Sequence, residues 1–569
     1  MLFVAENLQE LYAAYKRGER LPAWIVELPY LFTAVLILML LLFANKMWAT
    51  NDDAGMAMVV EGYGVAASPS PGMVYSSVVW GWLLMHLPHF SFIEAYTAAT
   101  YALLLVSWTA IALSLRRLKA PSLLAAAALV GMYTTAIIHP QFTIVAGYLA
   151  VAGLAVVYAW KDSKSSRHLF AAGLLLLLAG LIRTEEILLV LGVCLPFLLI
   201  STLHETDIRQ RPGWLWMTVA LIVMLCASRA MDHIYYSSDA WTAFNQMNDI
   251  RLPFTDYKLS AYFSAHQEAL QSSKLTQNDI SLISHWFYAD GRVFNRENFG
   301  PLLAAIPWTE RVTANLKFWR QPLEVITAPQ LLPLVYLLLL TFLLGHGWKR
   351  TAFCSLLLLA AGMLIIFLLG RGGIARIYVP PVAALLILSI ATMSSAHRRL
   401  LQLTGAVTLV FLVSALIADW NIGIREGQNQ RAHGQLVTQF CKLPRHDLLL
   451  IWGKGYFQYN ALYDQDSGAI QGCGLHLYPI STLSLTPYST DNLFRATGER
   501  SPIDALLHGQ TLYIYAESYY LDMLNTYLQE HYGSTLSYNV VTTAYKSLHI
   551  YAMHATPATL IPGSPTPQR

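Results

Sequence analysis

Residues 28–53 read LPYLFTAVLILMLLLFA, NKMWAT, NDD: an apolar run, Leu28–Ala44, a short connector, and then the adjacent carboxylates Asp52 and Asp53. At 1.5 Å per residue the run comes close to crossing a hydrocarbon core of ~30 Å, so it reads as a membrane helix. An acid at bilayer depth costs ~2.5–3.5 kcal/mol, and two together need a reason. Two readings stand side by side. The pair is a general base or a metal ligand held at the membrane surface, or Asn51 or Asp52 caps a short helix over Ala54–Val60.

The whole chain repeats this chemistry. Its 569 residues are 55% hydrophobic and 12% charged, with a mean hydropathy of +0.44, which excludes a soluble protein of this size and predicts an α-helical polytopic membrane protein. The net charge of +3 is spread in small clusters, which excludes a nucleic-acid partner. Residues 1–27 carry Glu6, Glu10, Lys16, Arg17 and Arg20 and no small-residue cleavage site. They read as an amphipathic cytoplasmic amino terminus, with the first span retained. Further runs follow at Ala95–Leu115, Pro121–Ile138, Gln141–Trp160, Leu169–Ile182, Ile187–Leu203, Trp214–Ala227, Leu331–Leu344, Thr351–Leu369, Tyr378–Met393 and Leu400–Ala418, giving about eleven spans.

Basic residues fix the orientation. They gather at Lys16/Arg17/Arg20, Arg116/Arg117/Lys119, Lys161/Lys164/Arg167, Arg209/Arg211, Lys349/Arg350 and Arg398/Arg399, and such connections are cytoplasmic. The alternate connections then face out, and they hold Asp52/Asp53, His139-Pro140, Arg183-Thr184-Glu185-Glu186 and the Arg371–Arg376 turn. The expected organisation is a transmembrane core over 28–229 whose first outer loop, 48–94, carries the acids; an outer helical loop over 230–326; a second part of the core over 327–418; an outer α/β domain over 419–555; and a disordered tail over 556–569.

Within the first outer loop, Gly62, Gly64, Pro69, Pro71 and Gly72 break the chain before an apolar, aromatic stretch, Met73–Leu87, too short to span. It predicts an interfacial hairpin. In 230–326, helices are expected over Asp239–Asn248, Tyr257–Ser273 and Asp279–Tyr288, with tryptophans among acids and amides, a pattern that holds sugar rings or simply packs. The carboxy-terminal domain shows strand patterns at Leu448–Trp452, Thr511–Tyr515, Ser537–Thr542 and Ser547–Tyr551, and a helix at Glu517–Glu530. Cys441 and Cys473 are the two cysteines in polar sequence, suited to one bridge outside the cell or to two free thiols.

A site on the outer face that transfers a sugar from a lipid phosphate needs one base and cations for a departing anion. Asp52 and Asp53 supply base candidates. Arg183, Arg371 and Arg376 supply forked phosphate clamps. Glu185 and Glu186 suit orienting Arg183 or binding sugar hydroxyls, and His139 suits either task. Each has a structural alternative: an Arg183–Glu186 pair across a helical turn, a simple turn at Gly372-Gly373, a cap at His139.

A first span followed by an acidic pair, the loop GYGVAASPSPG, the helix end LIRTEE, a long outer loop after the seventh span and an outer α/β tail together resemble the bacterial GT-C glycosyltransferases that use polyprenyl-phosphate sugars. The resemblance implies a donor of that kind, an extracytoplasmic acceptor that is a surface polysaccharide, lipid A or a protein, and an inner-membrane location. It implies that Asp52 or Asp53 is the base. It leaves a divalent cation on these acids open, because members of the family differ. A lipid-linked glycan transporter or flippase and a glycan polymerase or ligase, the latter using Arg229, Asp232 and His233, are the alternatives.

Overall fold

The computed structural model describes residues 23–44, 46–88, 93–163, 165–203, 211–257, 259–270, 273–344, 349–393, 402–413, 416, 448–453, 474–543 and 548–557. The expected amino-terminal amphipathic segment up to residue 22, Cys441, Cys473 and the tail from residue 558 lie outside the described residues.

The helices of the first half are α1 (Ala23–Phe43), α2 (Asn51–Glu61), α3 (Val78–Met85), α4 (Ala95–Arg117), α5 (Ser122–Ile138), α6 (Phe142–Ser163), α7 (Ser166–Ile182), α8 (Thr184–Val193), α9 (Leu195–Leu203) and α10 (Arg211–Tyr236). Among the described residues five helices are long and apolar enough to cross a membrane: Val26–Phe43, Ala95–Arg117, Phe142–Trp160, Leu215–Tyr236 and Thr351–Leu368. Shorter apolar helices cover Ser122–Ile138, Ser166–Ile182, Leu332–Leu343, Ala375–Ala391 and Gln402–Val413. The run at Ile187–Leu203 is instead broken at Cys194 into α8 and α9. Pro196 in the first turn of α9 explains the break, since it has no N–H to continue the ladder.

Composition sorts these helices by depth in the bundle. The apolar window of α6 is entirely buried. Its repeated alanines and glycines let α4, α7 and the later helix α19 (Ala375–Ala391) approach closely. At Gly147 a Cβ would meet the Pro380 ring of α19 at 2.2 Å. The leucine-rich α1 and the apolar part of α10 lie outside, with Leu28, Leu42, Leu215 and Ile234 exposed, as suits lipid-facing surfaces. α10 continues past Ala227 to Tyr236. Its polar last turns are satisfied by α3: Ser228 bonds Ser77, and Asp232 Oδ1 accepts from the Val78 N–H at 2.8 Å.

The segment 230–326, expected to lie outside, forms α11 (Thr242–Thr255), α12 (Ser260–Ala265), α13 (Gln277–Ser284), α14 (Arg296–Ala304), α15 (Trp308–Leu316) and α16 (Gln321–Ile326), before α17 (Leu332–Leu344), α18 (Lys349–Leu368) and α19. The carboxy-terminal unit contains β1 (Leu448–Trp452), β2 (His476–Ile480), α20 (Pro487–Thr497), α21 (Pro502–Leu507), β3 (Leu512–Glu517), α22 (Ser518–Tyr532), β4 (Ser534–Thr543) and β5 (Leu548–Pro557). Its five-stranded sheet has the order β2-β1-β3-β5-β4. β1 pairs in parallel with β2 (Leu448↔His476) and β3 (Leu450↔Ile514), while β5 runs antiparallel to β3 and β4. β2, α20 and α21 are absent from the sequence expectation. β2 contains Pro479, which a central strand rejects, but β2 is an edge strand, where a missing N–H is tolerated.

The outer segment and the sheet share one core. Phe254, Phe263, Phe287 and Phe294 pack in a single cluster with Trp452, Ile514, Leu521 and Tyr527. Each large apolar side chain buried there is worth ~1.5–3 kcal/mol. Polar ties cross the same seam: Trp452 Nε1 donates to the His285 carbonyl at 2.7 Å, Tyr527 OH to Asp290 at 2.8 Å, and His531 Nε2 lies 2.9 Å from Asp279. The cap so formed is tied to the acidic loop through Gly64, whose carbonyl accepts from the Leu477 N–H of β2 at 2.8 Å and from Asn492 Nδ2 at 3.0 Å.

Candidate functional site

The site begins at the first turn of α2. The helix starts at Asn51 with Thr50 as its N-cap, so neither Asn51 nor Asp52 is the cap. Asp52 and Asp53 both lie in the first turn, where the helix dipole favours negative charge. From there they diverge. Asp53 is fully buried and accepts three hydrogen bonds, from Thr50 Oγ1 at 2.9 Å, Tyr96 OH at 3.0 Å and the Phe142 N–H at 2.9 Å. Burial pushes its carboxyl up to about 7, with the Asp52 charge adding to the rise and the three donors opposing it. Asp52 keeps 19% of its side chain exposed, and its Oδ2 lies 3.8 Å from Arg376 Nη2.

A similar carboxyl closes the far end of α2. Tyr63 OH donates to Glu94 at 2.6 Å, and Glu61 accepts from the Ala95 N–H at 2.6 Å. Glu94 is likewise pushed up to about 7 by burial. The helix carrying Asp52 is thus fastened at both ends to the first turn of α4.

Three arginines converge on the Asp52 end of the bundle. Arg183, between α7 and α8, lies over the Phe142 ring at 5.0 Å. Its guanidinium is depressed first by burial, and also by the charges of Arg376 and Arg371, against the opposing pull of Glu185. All three cations therefore lie within electrostatic reach of one another. Their acid partners are distant: Glu185 at 3.9 Å from Arg183, Asp256 at 3.5 Å from Arg371 and Asp52 at 3.8 Å from Arg376. Glu185 is held more closely by Arg229, at 3.0 Å. The expected Arg183–Glu186 pair is not the ion pair found. Glu186 is 3% exposed, its Oε1 has no hydrogen-bond partner among the described residues, and burial pushes its carboxyl well up.

From the cap come Arg251, which the sequence reading passed over, and Trp286, one of the tryptophans read there among acids and amides; Tyr75 comes from the 48–94 loop. The Tyr75 phenol is pushed well up by burial and by the Asp52 charge, with Arg251 and Thr482 opposing. Arg251 is 4% exposed, lies 4.9 Å from the Trp286 ring and, among the described residues, donates only to the neutral oxygens of Thr255 and Asn248. Its Nε has no partner. Trp286 itself sits at φ +70°, a left-handed conformation that costs a bulky residue of order 1–3 kcal/mol and clusters at functional sites.

The other sequence candidates fall into place around this centre. His139 is the C-cap of α5, its N–H bonded to Thr135. The segment leading to Asp52 runs beside it, with the N–H groups of Met47 and Ala49 on the carbonyls of Ile138 and Pro140. Arg229 is taken up by Glu185, and Asp232 by the start of α3. Of the two acids Asp52 is the one open to a cation or substrate, since Asp53 is buried and already accepts three hydrogen bonds on its two oxygens. Among the described residues the one cluster with metal-ligand spacing is Asp279, Glu530 and His531, where the histidine is bonded directly to the aspartate.

The chain is similar to two crystal structures of ArnT from Cupriavidus metallidurans, one bound to undecaprenyl phosphate and one in the apo state. Identities are 12% and 11%, the TM-score is 0.38 for both, and the alignments cover 93% of this chain and 98% and 97% of those. No family model and no curated protein matches.

Proposed function

We propose that the protein is an integral membrane glycosyltransferase that moves one sugar from a polyprenyl-phosphate-linked donor to an extracytoplasmic acceptor. The observation that carries this reading is the division of the acidic pair: Asp52 is partly exposed and set near three loosely partnered arginines, while Asp53 is sealed in beside it.

In the proposed step an acceptor hydroxyl attacks the anomeric carbon, and the bond from that carbon to the phosphate oxygen breaks. The hydroxyl proton passes to Asp52, and polyprenyl phosphate leaves with the electron pair. Arg376 stands beside Asp52 at the mouth of the site. Arg183, Arg371 and Arg376 hold the phosphate, each free to exchange a distant acid for bidentate contact with the leaving oxygens. Asp53 is a positioning residue that fixes the first turn of α2 to α4 and α6. Arg251 and Trp286 complete the lining from the cap side, and sugar hydroxyls meet Glu185 and Glu186.

The charge bias of the connecting loops supports an extracytoplasmic position for this end of the bundle. The test is transfer by purified protein from a polyprenyl-phosphate sugar, with Asp52→Asn as the inactive control. Transfer that persists in that variant would remove the base.

A further inference from the structure

At the end of the bundle away from Asp52, α4 is flanked by two clefts. The larger, about 830 Å³, lies between α4, α6 and α7, with walls that include Leu105, Ala110, Val156 and Leu174 and with Arg116, Arg117 and His168 at its end. The smaller, about 350 Å³, lies between α1 and α4 and is walled by Tyr30, Leu31 and Trp108. Thr109, Leu113 and Arg116 belong to both, so the clefts meet over the last turns of α4.

The dimensions match one leaflet. The stretch from Leu105 to Arg117 rises ~18 Å at 1.5 Å per residue, against ~15 Å for half of a ~30 Å hydrocarbon core. The charge is one-sided as well. Among the described residues no carboxylate lines the larger cleft. In the smaller one the carboxylate of Glu27 is occupied by Arg116 at 2.7 Å. Arg117 is exposed and has no acid partner among the described residues. Ordinary lipid contact requires only apolar walls and does not distinguish head groups; a cleft whose polar end is cationic does.

We infer that these paired clefts hold one anionic phospholipid of that leaflet, an acyl chain on each side of α4 and the phosphate between Arg117 and His168. The site is independent of the transfer reaction, and its test does not use activity. The full chain, purified and stripped of lipid, is titrated with equal amounts of phosphatidylglycerol and phosphatidylcholine, and retained lipid is read by native mass spectrometry.

Wild type is expected to retain phosphatidylglycerol at least fivefold over phosphatidylcholine, and Arg117→Gln to cut that preference about fivefold, the share of one cation near a membrane surface. Ala110→Phe, which fills the larger cleft, is expected to lower retention of both lipids, with Ala171→Leu as the second cleft-filling variant should Ala110→Phe fail to fold. Equal retention of the two lipids by wild type, or a preference that survives Arg117→Gln, overturns the site and leaves annular lipid only.

Discussion

Arg376 Nη2 stands 3.8 Å from Asp52 Oδ2, with 30% and 19% of the two side chains exposed. That is an ion pair near the limit of contact, in partial reach of water, between α19 and the first turn of α2. A pair so loosely made can open for a substrate at little cost, since exposed ion pairs are worth ~0–1 kcal/mol.

The neighbouring acids should respond differently to the same substitution. Asp52→Asn is expected to lower transfer by ~10²–10⁴-fold, the usual worth of a general base, with thermal stability unchanged. Asp53→Asn should keep activity within about tenfold, because an amide oxygen can still accept from Tyr96 and Phe142 while its nitrogen donates to Thr50. Asp53→Ala leaves the Phe142 N–H and Tyr96 OH without an acceptor, and should cost ~1–3 kcal/mol in denaturation. Equal losses for both Asn variants would contradict the division.

Stability should fall with rising pH through these carboxyls. Asp53 and Glu94 are pushed up to about 7 by burial, so between ~4 and 7 the unfolded chain ionises them while the native chain keeps them protonated. Their stabilisation is complete below ~4 and is lost as pH rises through about 7. Melting curves of wild type and Asp53→Asn from pH 4.5 to 8 should therefore lie close at the acid end and separate as pH rises, wild type falling more steeply than the variant. Parallel curves would show that Asp53 is ionised throughout.

Arg183 should not tolerate lysine. Lysine keeps the charge but cannot form two parallel contacts with a phosphate, so Arg183→Lys is expected to raise the donor KM by ~10-fold or more, given ~1.5–3 kcal/mol for a charge-assisted bond. Unchanged donor kinetics would make Arg183 a structural partner of Phe142 and Glu185.

Gly147→Ala should act through packing. Its Cβ would meet the ring of Pro380 at 2.2 Å, and a proline ring in the middle of α19 has nowhere to turn. A loss of ~1–3 kcal/mol is expected, with reduced activity, because α19 carries Arg376. A wild-type melting temperature would show that α6 and α19 can separate freely.

Much of this was legible in the chain. Composition exposes membrane helices directly, and the apolar runs coincide with helices except where Pro196 interrupts one. The division of the acidic pair was not legible, because neighbours on a helix point ~100° apart and only the packing says which one faces inward. Arg251 left a signal that was missed: with Phe244, Met247 and Phe254 it follows the buried face of α11, so an arginine occupies a position where the helical period calls for an apolar side chain. The shared core of the outer segment and the sheet had no local sign, since residues such as Phe287 and Tyr527 meet only through the tertiary fold.

The most direct measurement is mass spectrometry of surface glycans, lipid A and cell-envelope proteins from a deletion strain complemented with wild type, Asp52→Asn or Asp53→Asn. The account predicts a fixed sugar mass that is lost on deletion and restored by wild type and Asp53→Asn but not by Asp52→Asn. Restoration by Asp52→Asn would contradict it.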